Sequence, residues 1–133
     1  MRKLMLASGL AAAAAAPLAA QTPQDDFTRR VASILAMAQY ATEAQTCGVL
    51  GAPYTLGDVN AAADNAANDA ADSIWGADAA GAALTAKMAA LHSYYEASAA
   101  LATKGMYPPA AECRKIANDT SLILSLRAFL HGQ

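Results

Sequence analysis

The sequence has few aromatic residues, only 6% of its 133, although 56% of its residues are hydrophobic. Alanine accounts for much of the difference. Burial stabilises a fold by about 25 cal/mol for each Å² of apolar surface, so an alanine-rich core contributes little per residue. A small domain with such a thin core gains from a covalent cross-link.

The sequence also lacks the short motifs of nucleophilic, phosphate-binding and zinc-protease sites: G-x-S-x-G, the glycine-rich phosphate loop and H-E-x-x-H are all absent. It has two histidines, of which His131 is close to the C-terminus and His92 precedes Glu96 by four residues. The second spacing allows an ion pair along one helix. Because catalysis needs a nucleophile, a base and an orienting group that converge, we expect a non-catalytic protein with no catalytic, cofactor-binding or metal-binding residue.

Basic residues are scarce beyond the N-terminal segment. Arg2 and Lys3 precede an uncharged apolar run, Leu4–Leu18, and small residues come before Gln21. This order is typical of a secretory signal peptide. The run is shorter than the roughly 20 residues that span a bilayer, so cleavage rather than anchoring is expected. The sequence therefore predicts a signal peptide at 1–20 and a single helical domain at 21–133, exported to the periplasm or outside the cell.

Cleavage would leave 7 basic residues against 11 acidic ones, a net charge of −4. A nucleic-acid partner needs a basic surface, so none is expected. After cleavage we expect no stable membrane insertion. With catalysis and nucleic-acid binding not expected, we predict a binding protein whose partner is another protein of the cell envelope.

Apolar residues recur at three- and four-residue steps in four stretches, which predicts four helices. The first is capped by Asp25 or Asp26 and ends at Gly48, the second begins with a Thr55/Asp58 capping box, the third runs from about Ala79 to Thr103, and the fourth starts at Pro109. Their predicted buried faces include Val31, Ile34 and Leu35; Val59, Ala63, Ala67 and Ile74; Leu84, Met88, Leu91 and Tyr95; and Ile116, Ile123, Leu124 and Leu130.

Two cysteines, Cys47 and Cys113, lie at the end of the first predicted helix and the start of the fourth. Short loops favour antiparallel neighbours, so the fold class is all-α, a small up-down four-helix bundle. In that topology both cysteines lie at the same pole, and an exported protein meets an oxidising compartment. The sequence therefore predicts a Cys47–Cys113 disulfide, although on a helical projection Cys47 points near Arg29, away from the apolar stripe.

Charged residues collect at the opposite pole of the predicted bundle. Arg127 interrupts the apolar face of the fourth helix, where an unpaired charge would be costly. We expect it either to form an end-of-bundle ion pair with an acid of that pole or to emerge from the end of the bundle. The candidate acids are Asp25, Asp26, Asp72 and Asp78.

Acidic and amide side chains follow one side of the second predicted helix, at Asp64, Asn65, Asn68, Asp69 and Asp72. Calcium loops need oxygen ligands that converge from a turn with a glycine at a fixed place. A straight helix spreads these side chains apart. We therefore expect a solvated face rather than a calcium site.

Two loop tyrosines at the disulfide pole, Tyr54 and Tyr107, are the candidate partner contacts, because aromatic residues with a polar tip are enriched in interfaces. An inhibitor, an immunity-type protein or an envelope adaptor would have this character. The other interpretation is that the rings fill the ends of the bundle.

The alternative function is a carrier of a small apolar ligand or haem inside the bundle. In size, export and helix count the chain resembles periplasmic haem-binding four-helix bundles, but the attachment motif C-x-x-C-H is absent. Non-covalent haem would need axial ligands such as Met37 and His92. A crevice lined by Met37, Met88, Leu91 and Tyr95 would favour this alternative.

Overall fold

The computed structural model describes residues 22–51, 54–102 and 108–131, and these ranges contain helices and no strand. The predicted signal peptide and Tyr107 lie outside the described residues. Five helices are described: α1 (Pro23–Thr46), α2 (Leu56–Trp75), α3 (Gly81–Ala102), α4 (Ala110–Asn118) and α5 (Thr120–His131). None of these helices is long and apolar enough to cross a bilayer.

Reciprocal capping boxes begin the first two helices. The Thr22 hydroxyl accepts from the backbone N–H of Asp25 at 3.1 Å, and the Asp25 carboxylate accepts from the Thr22 N–H at 3.2 Å. The predicted cap of α1 is therefore corrected: Thr22 is the cap and Asp25 its partner three residues on. The box predicted for α2 is confirmed, because Thr55 and Asp58 make the same two contacts at 3.2 and 2.8 Å.

The last helical segment is broken at Asp119, so the prediction of one continuous fourth helix is wrong. The backbone of Asp119 leaves the helical region, with φ −91° and ψ 83°. Its carboxylate accepts from the N–H of Leu122 at 3.0 Å and so caps α5. A short polar side chain competes for backbone donors in this way wherever the helix offers an end.

The antiparallel pair of α1 and α2 is the centre of the fold. Phe27 near the start of α1 meets Trp75 at the end of α2, with ring centroids 5.5 Å apart. Between these ends α2 presents alanine, and Ala63, Ala67 and Ala71 are at most 3% exposed. Small side chains let the two backbones approach closely, which gives the dense contact that larger residues would otherwise supply.

α3 runs antiparallel to α2, but its buried face differs from the predicted one. Its buried residues are Lys87, Ala90, Leu91 and Tyr94. Of the four residues predicted to face inward, only Leu91 does so; Leu84, Met88 and Tyr95 are 42%, 57% and 45% exposed. The helix is turned from the predicted orientation, so that Leu84, Met88 and Tyr95 face outward.

α4 and α5 pack on the other side of the central pair. Within the described ranges α4 approaches α1, and α5 approaches α1 and α2, but neither backbone comes near α3. Ile116, Leu126 and Leu130 complete a core cluster with Ala41, Ala44, Leu50, Val59 and Ala62. The fold is thus an all-helical packing in which α3 and the α4–α5 arm flank the α1–α2 pair.

The disulfide joins Cys47 and Cys113, with their Cα atoms 5.4 Å apart, and neither cysteine is free. It fastens the end of α1 to the first turn of α4. The end of the molecule that contains this bond and Tyr54 is called the disulfide pole below. In the structure Cys47 is half-buried and packs against the core cluster that Ile116, Leu126 and Leu130 complete.

Candidate functional site

Tyr54, a candidate partner contact, is half-buried at the disulfide pole. Its carbonyl accepts from the Gln45 side-chain amide at 2.6 Å, and its hydroxyl shares a 2.7 Å hydrogen bond with His131 Nε2. The two rings meet edge to face with centroids 5.7 Å apart. The tyrosine therefore fastens the end of α5 to the segment before α2, and the other candidate, Tyr107, lies outside the described residues.

The predicted ion pairs of Arg127 are not formed with the four candidate acids. Arg127 is exposed on α5, whose C-terminal end lies at the disulfide pole beside Tyr54. No ion pair joins Arg127 to an acid within the ranges that the structure describes. The reason is the break at Asp119, which turns α5 back toward the pole where α4 begins.

Each candidate acid has another environment. Asp25 belongs to the capping box of α1, and Asp26 pairs with Arg30 at 3.2 Å and Arg29 at 3.5 Å along the same helix. Asp78 is exposed in the segment between α2 and α3. Exposed pairs along one helix contribute only about 0.3–0.5 kcal/mol each, so this pole is a solvated surface rather than a built site.

The polar side of α2 is not the solvated face that the sequence predicts, because three of its residues contact α3. Tyr94, 1% exposed, donates its hydroxyl to Asp64 Oδ1 at 2.8 Å. One turn along, the Asn68 amide donates to the Tyr95 hydroxyl at 3.1 Å. Burial, reinforced by the adjacent Asp64 carboxylate, raises the pKa of Tyr94 well above its ordinary value of 10.

Lys87 is the third contact, and it is 9% exposed, the one charged residue of the described core. Its ammonium donates to the Gly76 carbonyl at 2.9 Å and pairs with the carboxylate of Asp72. Sequence analysis missed this residue. The signal was present, since Lys87 stands four before Leu91 and seven before Tyr94 and so shares their face. This set of contacts fixes the register of α3 on α2 and leaves the outer side of α3 exposed.

That outer side has few charged residues. Leu84, Met88 and Tyr95 are exposed on it, and His92 Nε2 lies 3.0 Å from the Glu96 carboxylate. The other exposed positions of α3 are mostly small: Ala82, Thr85, Ala89, Ser93, Ala99 and Ala100. We call this surface, from Leu84 to Ala100, the α3 outer face. Exposed large apolar side chains grouped on one helix are a candidate protein contact.

A groove of about 290 Å³ lies where the C-terminal half of α3 passes α1 and α2. We call it the α1–α3 groove. Its lining is Leu35, Ala38, Gln39, Thr42, Thr46, Leu56, Asn60, Ala63, Ser98, Leu101 and Ala102. Ala63 is buried and Leu35 and Leu101 are half-buried, whereas Gln39 and Asn60 are exposed. The groove has an apolar floor and an uncharged polar edge.

The crevice that would have favoured a carrier function is not formed, because Met37, Met88, Leu91 and Tyr95 do not line a common space. Met37 packs into the cluster that α4 and α5 complete, whereas Met88 is exposed on α3. Leu91 is only 7% exposed, within the core. His92 is exposed and paired with Glu96, so Met37 and His92 do not face a common space.

The described residues contain no group of three or more metal-binding side chains. Comparison with known proteins finds no matching family model, no matching curated sequence and no matching solved structure. The functional interpretation therefore depends on the surfaces of this chain alone.

Proposed function

We propose that the protein is an exported, non-catalytic binding protein whose partner is another protein of the cell envelope. The observation that carries the proposal is the α3 outer face. It exposes Leu84, Met88 and Tyr95 on one helix, and His92 and Glu96 within it contact each other. Methionine and tyrosine are enriched at protein interfaces, and Met88 and Tyr95 are the residues of this face that fit that composition.

Export is supported by two features that are independent of each other. Residues 1–20 have the order of a signal peptide, with a basic start and a short apolar run. The Cys47–Cys113 disulfide is of a kind that persists in oxidising compartments. The alanine-rich core gives the cross-link a physical purpose, because it adds stability that little apolar burial supplies.

The test is capture of the partner from the envelope by wild-type protein and by two matched variants. Leu84→Lys with Met88→Lys places two charges, four residues apart, on the α3 outer face. Leu124→Lys with Ala128→Lys places the same two charges at the same spacing on exposed positions of α5. We expect the α3 variant to lose its partner and the α5 variant to retain it. Equal capture by both variants would contradict the proposal.

A second candidate function, a carrier of a small apolar ligand, is supported by the α1–α3 groove. Its volume of about 290 Å³ is near the lower end of ligand sites, which span about 300–1,000 Å³. Haem is disfavoured as the ligand, because Met37 and His92 face different surroundings and the described residues that line the groove include neither histidine nor methionine.

A further inference from the structure

We propose that the α1–α3 groove binds an uncharged small molecule with an apolar chain and one hydroxyl or amide end. The inference rests on the carrier function given as the second candidate, and it names the ligand class. Three properties of the groove support it: the absence of charge in its lining, its size, and the hydrogen-bonding groups along one edge.

The first property concerns charge. None of the described residues that line the groove is acidic, basic or histidine. A carboxylate, phosphate or ammonium moved from water into this groove would lose hydration without meeting an opposite charge, which is strongly unfavourable. We therefore expect fatty acids, phospholipids and amines to bind this groove more weakly than neutral molecules of similar size.

The second property is size. At about 30 Å³ for each non-hydrogen atom, a volume of about 290 Å³ accommodates roughly ten such atoms. The floor that would contact them is formed by Leu35, Ala38, Ala63 and Leu101. A short alkyl chain or a small terpenoid has this volume and this polarity. A ligand of this size binds a partly open site with a dissociation constant of roughly 1 mM or somewhat below.

The third property is the polar edge. Gln39 on α1 and Asn60 on α2 each carry a carboxamide that both donates and accepts, and neither makes a hydrogen bond among the described residues. The hydroxyls of Thr42 and Thr46 donate to the carbonyls of Ala38 and Thr42, which leaves their oxygens able to accept. One hydroxyl or amide on the ligand therefore finds both donors and acceptors at this edge.

The experiment is a titration of the protein, expressed from its complete sequence with the disulfide formed, followed by amide NMR shifts. The probes are 1-nonanol and octanoate, which both have roughly ten non-hydrogen atoms and differ in charge. We expect 1-nonanol to shift Ala38, Ala63 and Leu101 in a saturable manner, and octanoate to bind at least about tenfold more weakly because its charge finds no partner.

Matched variants locate the site. Asn60→Trp places a large side chain at the mouth of the groove, and Asn65→Trp makes the same change at an exposed position of the same helix outside it. We expect the first to abolish the 1-nonanol shifts and the second to leave them unchanged, with circular dichroism confirming that both fold. The comparison of probes in the wild-type protein needs no variant, so a misfolded Asn60→Trp leaves the test intact.

Two failures are distinguishable. Octanoate binding as tightly as 1-nonanol would overturn the ligand class while the carrier function survived. Binding of neither probe in the groove, or shifts confined to other residues, would overturn the ligand class and the carrier function together. Capture of a protein partner through the α3 outer face is measured separately and depends on different residues.

Discussion

Replacing Tyr94 by phenylalanine tests the contact between α2 and α3 most directly. The change removes one hydroxyl and leaves the ring, which is 1% exposed, in place. Asp64 then loses the donor that lies 2.8 Å from its Oδ1. Hydrogen bonds to charged groups contribute about 1.5–3 kcal/mol, so we expect Tyr94→Phe to lower the free energy of unfolding by about 2 kcal/mol.

The neighbouring tyrosine is a matched control for this prediction. Tyr95→Phe deletes the same hydroxyl from the same helix, but Tyr95 is 45% exposed and its hydroxyl accepts from the neutral amide of Asn68 at 3.1 Å. Water replaces such a contact, so this variant should remain within about 0.5 kcal/mol of wild type. Urea unfolding at neutral pH, with the disulfide intact, measures both. Equal losses in the two variants, or a larger loss in Tyr95→Phe, would refute the reasoning.

Three further predictions concern pH, the cross-link and the break in the last helical segment. Burial raises the pKa of Tyr94 in the folded state, so its ionisation has no effect on the free energy of unfolding below about pH 10. Above that pH the tyrosine ionises in the unfolded state first, and the free energy of unfolding falls. Urea titrations at pH 9–12 should show a shallower fall for Tyr94→Phe than for wild type. Replacing Cys47 and Cys113 by serine opens a link across 66 positions and should cost about 4 kcal/mol, measured by chemical unfolding. Asp119→Ala removes the cap of α5 and should cost about 1 kcal/mol, whereas Asp119→Asn should cost little, as thermal melts will show.

Local features of the fold could be predicted from the sequence because their causes are local. The capping box of Thr55 and Asp58 depends on residues three apart, and the sequence predicts it correctly. The disulfide could be predicted because the chain has two cysteines and the predicted topology places both at one pole. The break at Asp119 could not, because apolar residues recur on both sides of it and Leu122, three residues on, is not the acid that completes a capping box.

The orientation of α3 could not be predicted, for a physical reason. Alanine and other small residues occur on every side of α3, so no side of this helix is clearly more hydrophobic than another. What decides the orientation is pairing with α2: Tyr94 with Asp64 and Lys87 with Asp72. Those partners lie 30 and 15 positions away along the chain, and neither pair is visible in the periodicity of one helix.

The candidate site was missed for a related reason. The α1–α3 groove and the α3 outer face both result from the way α3 is turned and from the packing of α4 and α5 on the far side of the central pair. Sequence analysis named Tyr54 and Tyr107 as candidate partner contacts. In the structure Tyr54 contacts His131, and Tyr107 lies outside the described residues.

The Cys47–Cys113 bond closes the chain from Cys47 to Cys113 into a covalent ring. This ring contains all of α2 and α3. A protease that cuts once inside this ring, for example between Gly76 and Ala80, would therefore yield two fragments that migrate as one molecule until a reductant separates them. A cut outside the ring would release a fragment immediately. Nicking of the segment between α2 and α3 would thus leave α3 covalently attached to the rest of the chain.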